Sequence, residues 1–176
     1  MSAVYLGIDV GQQGAVVVLD EDARCVFQSS FKGRLHVHRR TLDVLGDRVA
    51  KLFGEIDDAI GPDVDKLAAL ELQWLRAGER GGGAQLIQQG AILAALALHG
   101  WEVEVWEAAW WRKQSGTSRG SRARNKAASI AHVRGKLPTV NLMRAPRCTV
   151  PDDGIADAAV LARLRLVRAL KGASDA

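Results

Sequence analysis

Cysteine, long apolar runs and a secretion signal are all scarce or absent in this 176-residue sequence. Cys25 and Cys148 are its only cysteines and lie too far apart to match the ligand spacing of a zinc site. Two distant cysteines are typical of reduced thiols in the cytosol, so we expect a cytoplasmic protein. No apolar run approaches the roughly 18 residues that a membrane-spanning helix needs, which argues against a membrane partner.

The N-terminal residues do not resemble a targeting segment. No basic stretch followed by an apolar run and a cleavage site begins at Met1, so secretion is not expected. Hydrophobic residues make up 48% of the chain and charged residues 25%, a balance typical of folded proteins. The length suits one domain over residues 1–176.

Acidic residues are missing from the stretch between Glu107 and Asp152. Because all its charges are positive, the stretch favours a polyanionic partner, most often nucleic acid. A solvated basic face that aids solubility is the alternative. The basic residues of this stretch are Arg112, Lys113, Arg119, Arg122, Arg124, Lys126, Arg134, Lys136, Arg144 and Arg147.

Apolar periodicity predicts the element order β-β-β-α-β-α-β-α-α. The first three strands have tight turns between them and are predicted to form an antiparallel meander. The order predicts an α/β fold in which helices flank a central mixed five-stranded sheet. It is the order of the ribonuclease H-like fold, although several architectures share it. Strands are predicted near 3–10, 15–19, 24–31, 66–73 and 101–106, helices near 41–60, 84–99, 126–136 and 151–171, and a basic loop over 113–125.

Asp9 interrupts the apolar first strand, in the segment "YLGIDVGQQG". A charge in the middle of a buried strand is costly unless it is paired or bound to a metal. Gly7 and Gly11 leave room for other groups to approach it. One alternative is an ordinary turn aspartate near the strand end. Another is the phosphate-loop strand of sugar-kinase and actin-like ATPases, for which this chain is too short and lacks a second phosphate loop.

Three further carboxylates lie in or beside apolar segments, where a charged side chain is unexpected. Glu71 follows the apolar run "LAAL", although an edge-strand residue facing water would also fit. Asp153 and Asp157 are four residues apart and share one face of the last helix. Their mutual repulsion would be relieved by a cation between them. Asp152 is the better helix cap, and all three aspartates could instead simply favour the positive N-terminus of that helix.

These carboxylates can converge if strands one and four are neighbours and the last helix packs across them. Four oxygen ligands in one cleft suit Mg²⁺ or Mn²⁺. Two such ions can activate water and stabilise the leaving oxygen at a phosphodiester. No cluster of histidine or cysteine favours zinc instead.

At these residues the sequence resembles the RuvC-like Holliday-junction resolvases, especially the short phage-type members, over nearly its whole length. The segments "LGIDVG", "ALELQW" and "DDGIADA" resemble the family's acidic motifs. The last pair is four residues apart, as in phage, poxviral and fungal mitochondrial resolvases, whereas standard bacterial members have three. Asp152 and Asp153 therefore both stay open as the third ligand, and helical geometry favours Asp153. The implied catalytic metal ligands are Asp9, Glu71, Asp153 and Asp157.

The resemblance also implies DNA contacts. Trp74 lies three residues after Glu71, where the family carries an aromatic residue that stacks at the exchange point of the junction. A half-buried tryptophan at a strand end is the alternative. Lys113 and Lys126 look like the family's two lysines beside the scissile phosphate, and Lys126 is counted among the catalytic residues. The loop between these lysines would grip the DNA backbone through Arg119, Arg122 and Arg124.

The implied function is that of a crossover junction endodeoxyribonuclease. It would act as a homodimer with two Mg²⁺ ions per active site, for which Mn²⁺ can substitute. It would cut one phosphodiester on each of two strands of a four-way DNA junction, leaving 5′-phosphate and 3′-hydroxyl ends. The helix after Glu71 would form the dimer contact, although core burial explains its apolar face equally well.

Two other functions remain open at this point. A RuvC-like nuclease could act on another branched DNA or on ribosomal RNA precursors. A non-catalytic DNA-binding scaffold is the third reading, weakened by the presence of all four carboxylates. Gln12 and Gln13 could touch DNA or only form the turn after the first strand.

Overall fold

The computed structural model describes residues 2–11, 14–31, 42–73 and 82–174. Gln12, Gln13, Trp74 and the predicted helix start at Thr41 lie outside the described residues. The strands are β1 Ser2–Asp9, β2 Ala15–Leu19, β3 Cys25–Ser30, β4 Val64–Glu71 and β5 Glu102–Trp106. The helices are α1 Leu42–Ile60, α2 Gly82–Leu98, α3 Ala108–Gln114, α4 Arg122–Lys136 and α5 Asp153–Ser174. Within the described ranges, none of these helices has the length and apolar character needed to cross a bilayer.

The five strands form one mixed sheet in the order β3-β2-β1-β4-β5. The β1–β2 and β2–β3 pairs are antiparallel, so the predicted meander is confirmed. The β1–β4 and β4–β5 pairs are parallel, with α1 and α2 as the crossover connections. Strands β1 and β4 are therefore direct neighbours at the centre of the sheet, which is the condition that convergence of the carboxylates requires.

Helices pack on both faces of the sheet, because the central strands carry apolar side chains on both faces. Leu6 and Ile8 of β1 belong to a core with α1 and α2 on one face. Val17 and Leu19 of β2 belong to a second core with α4 and α5 on the other face. Successive side chains of a strand point to opposite faces, so a continuous apolar run supplies both cores.

Gly7 lets α5 pack unusually close to β1. A Cβ on this residue would lie 1.9 Å from the carbonyl oxygen of Ala158 and 2.4 Å from the nitrogen of Ala162. Only a residue without a side chain allows the helix backbone to come this near. The contact places the first turns of α5 against the strand that carries Asp9.

Two helices differ from the prediction by more than small shifts of their ends. Helix α3 was not predicted, and its seven residues lie in and just before the expected basic loop. Helix α4 begins at Arg122, because the Ser121 hydroxyl caps it by accepting the Arg124 amide.

Candidate active site

Asp9 and Glu71 lie side by side at one edge of the sheet. Each is the last residue of its strand, and the parallel register pairs Ile8 with Leu70 immediately before them. Asp9 is thus at the end of β1 and not at its centre. The carboxyl ends of two adjacent parallel strands form a common site for ligands in α/β sheets.

A glycine turn fixes the Asp9 carboxylate. The Gly11 amide donates a hydrogen bond of 3.0 Å to Asp9 Oδ1. The Gly14 amide closes the turn on the Gly11 carbonyl at 2.8 Å, and a Cβ on Gly14 would lie 2.0 Å from the Asp9 carbonyl oxygen. The glycines of this segment therefore permit a tight turn directly beneath the carboxylate.

Asp152 is the N-cap of α5, which confirms the prediction for that residue. Its Oδ1 accepts hydrogen bonds from the amides of Gly154 and Ile155 at 2.9 and 3.1 Å. Its Oδ2 forms an ion pair with Arg144, so both oxygens are engaged. Asp152 is buried in this capping role.

Asp153 and Asp157 each pair with a cation of the chain. Asp153 Oδ2 forms an ion pair with Lys126 Nζ of α4. Asp157 is buried and receives Arg112 in a two-pronged contact, with Nη1–Oδ1 and Nη2–Oδ2 distances of 3.2 and 2.7 Å. Such bidentate guanidinium–carboxylate pairs are both strong and geometrically specific.

Helix α3 supplies two partners for Glu71. The indole Nε1 of the fully buried Trp111 donates to Glu71 Oε2 at 2.9 Å. Arg112 Nη2 lies 3.8 Å from the same oxygen, so the guanidinium bridges Glu71 and Asp157. The sequence reading missed both roles. It counted Arg112 only as part of the basic stretch, and no pattern distinguishes an inward arginine from the solvated ones around it.

Burial and neighbouring carboxylates raise the pKa values of Asp9 and Glu71 in this cleft. Burial, followed by the charges of Glu71 and Asp157, raises the pKa of Asp9 to about 8 against the opposing pull of the Gly11 amide and Arg112. Burial also raises the pKa of Glu71, although Arg112 opposes the shift. A cation placed beside these groups would favour their ionised forms.

Asp9 and Glu71 fit a divalent cation better than the other two carboxylates do. Among the described residues, no lysine or arginine forms an ion pair with Asp9. In the same part of the chain, no three His, Cys, Asp or Glu side chains are grouped closely enough to hold a metal ion. The four-carboxylate ligand set and its two ions stay predictions, and two of the four carboxylates, Asp153 and Asp157, form ion pairs with Lys126 and Arg112 respectively.

Exposed positive charge borders the carboxylates. Thr117 is buried, and its amide donates to the Arg112 carbonyl at 2.9 Å, which ties the loop after α3 to the site. The Asn125 side chain accepts the Arg119 amide at 2.6 Å and holds the loop to α4. The predicted DNA-contacting side chains that the structure places on the outside of this segment are Lys113, Arg119, Arg122 and Arg124.

No protein-family model matches the sequence, and no curated protein matches it. Solved structures do match. A Thermus thermophilus RuvC structure has a TM-score of 0.66 and 20% identity, covering 96% of each chain. The structure of T. thermophilus RuvC in complex with a Holliday junction substrate has a TM-score of 0.67 and 19% identity, covering 97% of this chain and 96% of the other. These matches confirm the predicted ribonuclease H-like fold, with its mixed sheet between helices.

Proposed function

We propose that this chain is a metal-dependent endonuclease that resolves four-way DNA junctions by paired, symmetric cuts. One observation carries the proposal. Asp9 and Glu71 end adjacent parallel strands, and Asp157 of α5 lies near enough to raise the pKa of both. This arrangement occurs in a chain whose fold matches RuvC structures, one of them with a Holliday junction substrate.

Mg²⁺ or Mn²⁺ is the proposed cofactor, held by the hard carboxylate oxygens of Asp9 and Glu71. When bound, it would supply Lewis-acid activation of water and of the scissile phosphate. Other residues of the chain orient the two carboxylates. Trp111 fixes the orientation of the Glu71 carboxylate through its indole hydrogen bond. The Gly11 amide does the same for Asp9.

The proposed DNA surface begins at the edge of this cleft. Lys126 of α4 forms an ion pair with Asp153 of α5, and it can exchange that carboxylate for a phosphate oxygen when DNA is bound. Lys113 and the exposed arginines of the same segment extend the positive charge away from the carboxylates. We assign Trp74 the stacking role at the exchange point on the sequence resemblance alone.

Paired cuts need two active sites, which we propose a homodimer supplies. Helices α1 and α2 carry exposed apolar side chains at Val44, Ile87 and Leu98, with exposed fractions of 37%, 45% and 86%. These side chains would lose their contact with water if a second copy packed on the two helices. The DNA-facing segment lies on the opposite face of the sheet, so pairing through α1 and α2 would leave it free.

The decisive experiment offers the protein labelled substrates with Mg²⁺ or Mn²⁺. The set comprises a four-way junction, a linear duplex, a flap and a structured RNA. Symmetric paired nicks confined to the junction would support the proposal. Cleavage of RNA alone would favour an RNA-processing nuclease, and junction binding without any cleavage would favour a scaffold.

Asp9→Asn is the sharpest single variant for this proposal. It keeps the side-chain shape but removes the charge that holds the cation, so we expect junction cleavage to fall at least about 1,000-fold while binding stays within a few-fold. Asp63→Asn, an exposed change in the turn before β4, is the control and should cleave normally. Full cleavage by Asp9→Asn would refute the assigned site.

A further inference from the structure

Arg112 occupies the interior of the carboxylate cleft. Its guanidinium makes the bidentate contact to Asp157 and the 3.8 Å contact to Glu71. The side chains of Arg112 and Glu71 are each 15% exposed and that of Asp157 is 8% exposed. A charge this deeply placed is costly unless it is paired, so these contacts are a built feature of the site.

The surrounding structure holds Arg112 in place. Its guanidinium carbon lies 4.1 Å from the centroid of the Trp111 ring, and Nη1 lies 3.5 Å from the Ser129 hydroxyl of α4. Its carbonyl accepts the amides of Thr117 and Ser118 at 2.9 and 3.1 Å. Backbone and side chain are therefore both fixed, unlike those of a flexible surface arginine.

The bidentate contact limits what Asp157 can offer to a metal. Each of the two hydrogen bonds occupies one lone pair on one carboxylate oxygen of Asp157. Only the lone pairs that point away from the guanidinium can therefore bind a metal ion. Asp153 is likewise engaged by Lys126. Of the four predicted ligands, Asp9 has no ion-pair partner among the described residues, and Glu71 has only the 3.8 Å contact to Arg112, which is longer than the contacts of Asp153 and Asp157.

The net charge of the cleft also favours one divalent cation over two. With Asp9, Glu71 and Asp157 all ionised, as cation binding requires, their charges of −1 each and the +1 of the Arg112 guanidinium sum to −2. One divalent cation neutralises this charge, whereas two would leave the buried site at +2. Uncompensated charge in a buried site is strongly unfavourable.

We propose that Arg112 is a positioning residue that takes the place of the second cation, so that each centre binds one divalent ion at Asp9 and Glu71. This proposal rests on the nuclease function proposed above, since that function requires a cation in the cleft. The bridging guanidinium orients Asp157 and supplies the positive charge that a second ion would bring. It differs from the sequence expectation of two ions per site.

The test counts bound Mn²⁺ without DNA, by equilibrium dialysis and electron paramagnetic resonance. We expect one Mn²⁺ per chain in the wild-type protein. Arg112→Met keeps the length of the side chain and removes its charge, and the count should rise to two. Arg112→Lys keeps the charge and should restore the count of one. Arg48→Met makes the same chemical change on the exposed side of α1 and should leave the count at one.

Two Mn²⁺ ions on the wild-type chain, or an Arg112→Met count equal to that of the wild type, would overturn the proposal. Circular dichroism and thermal unfolding establish whether Arg112→Met folds; if it does not, the wild-type count decides alone. The metal count is independent of cleavage. One ion on a chain that cuts no junction would refute only the nuclease function, and two ions on a chain that cuts junctions would refute only the role of Arg112.

Discussion

Asp9 makes the stability of the metal-free protein depend on pH. Its pKa is about 8 in the folded state, against an ordinary value of 3.8, because it is buried beside Glu71 and Asp157. Between these two pH values the folded state keeps a proton that the unfolded state releases. The free energy of unfolding therefore falls as the pH rises through this window.

Replacing Asp9 by asparagine should remove part of this fall. In EDTA, we expect Asp9→Asn to match the wild type near pH 4 and to be clearly more stable near pH 9, as measured by urea unfolding at each pH. Asp47→Asn should run parallel to the wild type throughout, because that residue is exposed on α1. If the free energy of unfolding of Asp9→Asn changed with pH in parallel with that of the wild type, Asp9 would not have a raised pKa in the folded state.

At the level of single residues, the sequence reveals groups that violate their local pattern. Asp9 and Glu71 were predicted to belong to a site because Asp9 interrupts one apolar strand run and Glu71 follows another, and the fold places them together. Arg112 violates no pattern, because one arginine in a basic stretch resembles the next. Its role follows from the burial of one face of α3, which no local sequence pattern shows.

The contact between α5 and β1 is the element-level feature on which the site depends. It brings Asp157 to the end of β1, and it exists because Gly7 has no side chain. The atoms that a Cβ would meet belong to the backbone of α5 and cannot rotate away. The helix would have to move off the sheet to make room.

Gly7→Ala should therefore destabilise the fold strongly. Overpacking a well-packed core typically costs about 1–3 kcal/mol, and we expect a loss of about 3 kcal/mol or more in the free energy of unfolding, because backbone atoms are involved. Gly46→Ala is the control, since a Cβ there meets nothing within 4 Å and α1 is helical at that position. It should stabilise by up to about 1 kcal/mol. Equal effects in chemical denaturation would contradict the close α5 packing.

The elements that were predicted well are those with long, regular apolar patterns. The first three strands, α1 and α5 differ from their predicted bounds by at most a few residues. Helix α3 was missed because it has only seven residues, and Glu107 at its N-cap makes no side-chain capping bond. Its stability comes from Trp111, which is buried between α3 and the core, so tertiary packing and not local propensity forms this helix.

At the scale of the whole molecule, charge is separated between the cleft and its border. The cleft gathers Asp9, Glu71 and Asp157, whereas the segment from α3 into α4 has exposed basic side chains and no acidic ones. The sequence predicts this division, because the acidic residues are absent from one continuous stretch. What it does not predict is that Arg112 of that stretch turns inward, or that Lys126, expected beside the cleft, pairs with Asp153.

Phosphate binding by the basic segment should appear as salt dependence of junction affinity. Each phosphate contact contributes about 0.9 to the slope of log K against log salt. Replacing Arg119, Arg122 and Arg124 together by alanine should make the slope shallower by about 2 to 3, measured by fluorescence anisotropy in EDTA. The control removes three positive charges elsewhere, at Arg24, Arg48 and Lys51, and should change the slope by less than about 1. Equal changes in both triple variants would mean that net charge, and not this surface, governs DNA binding.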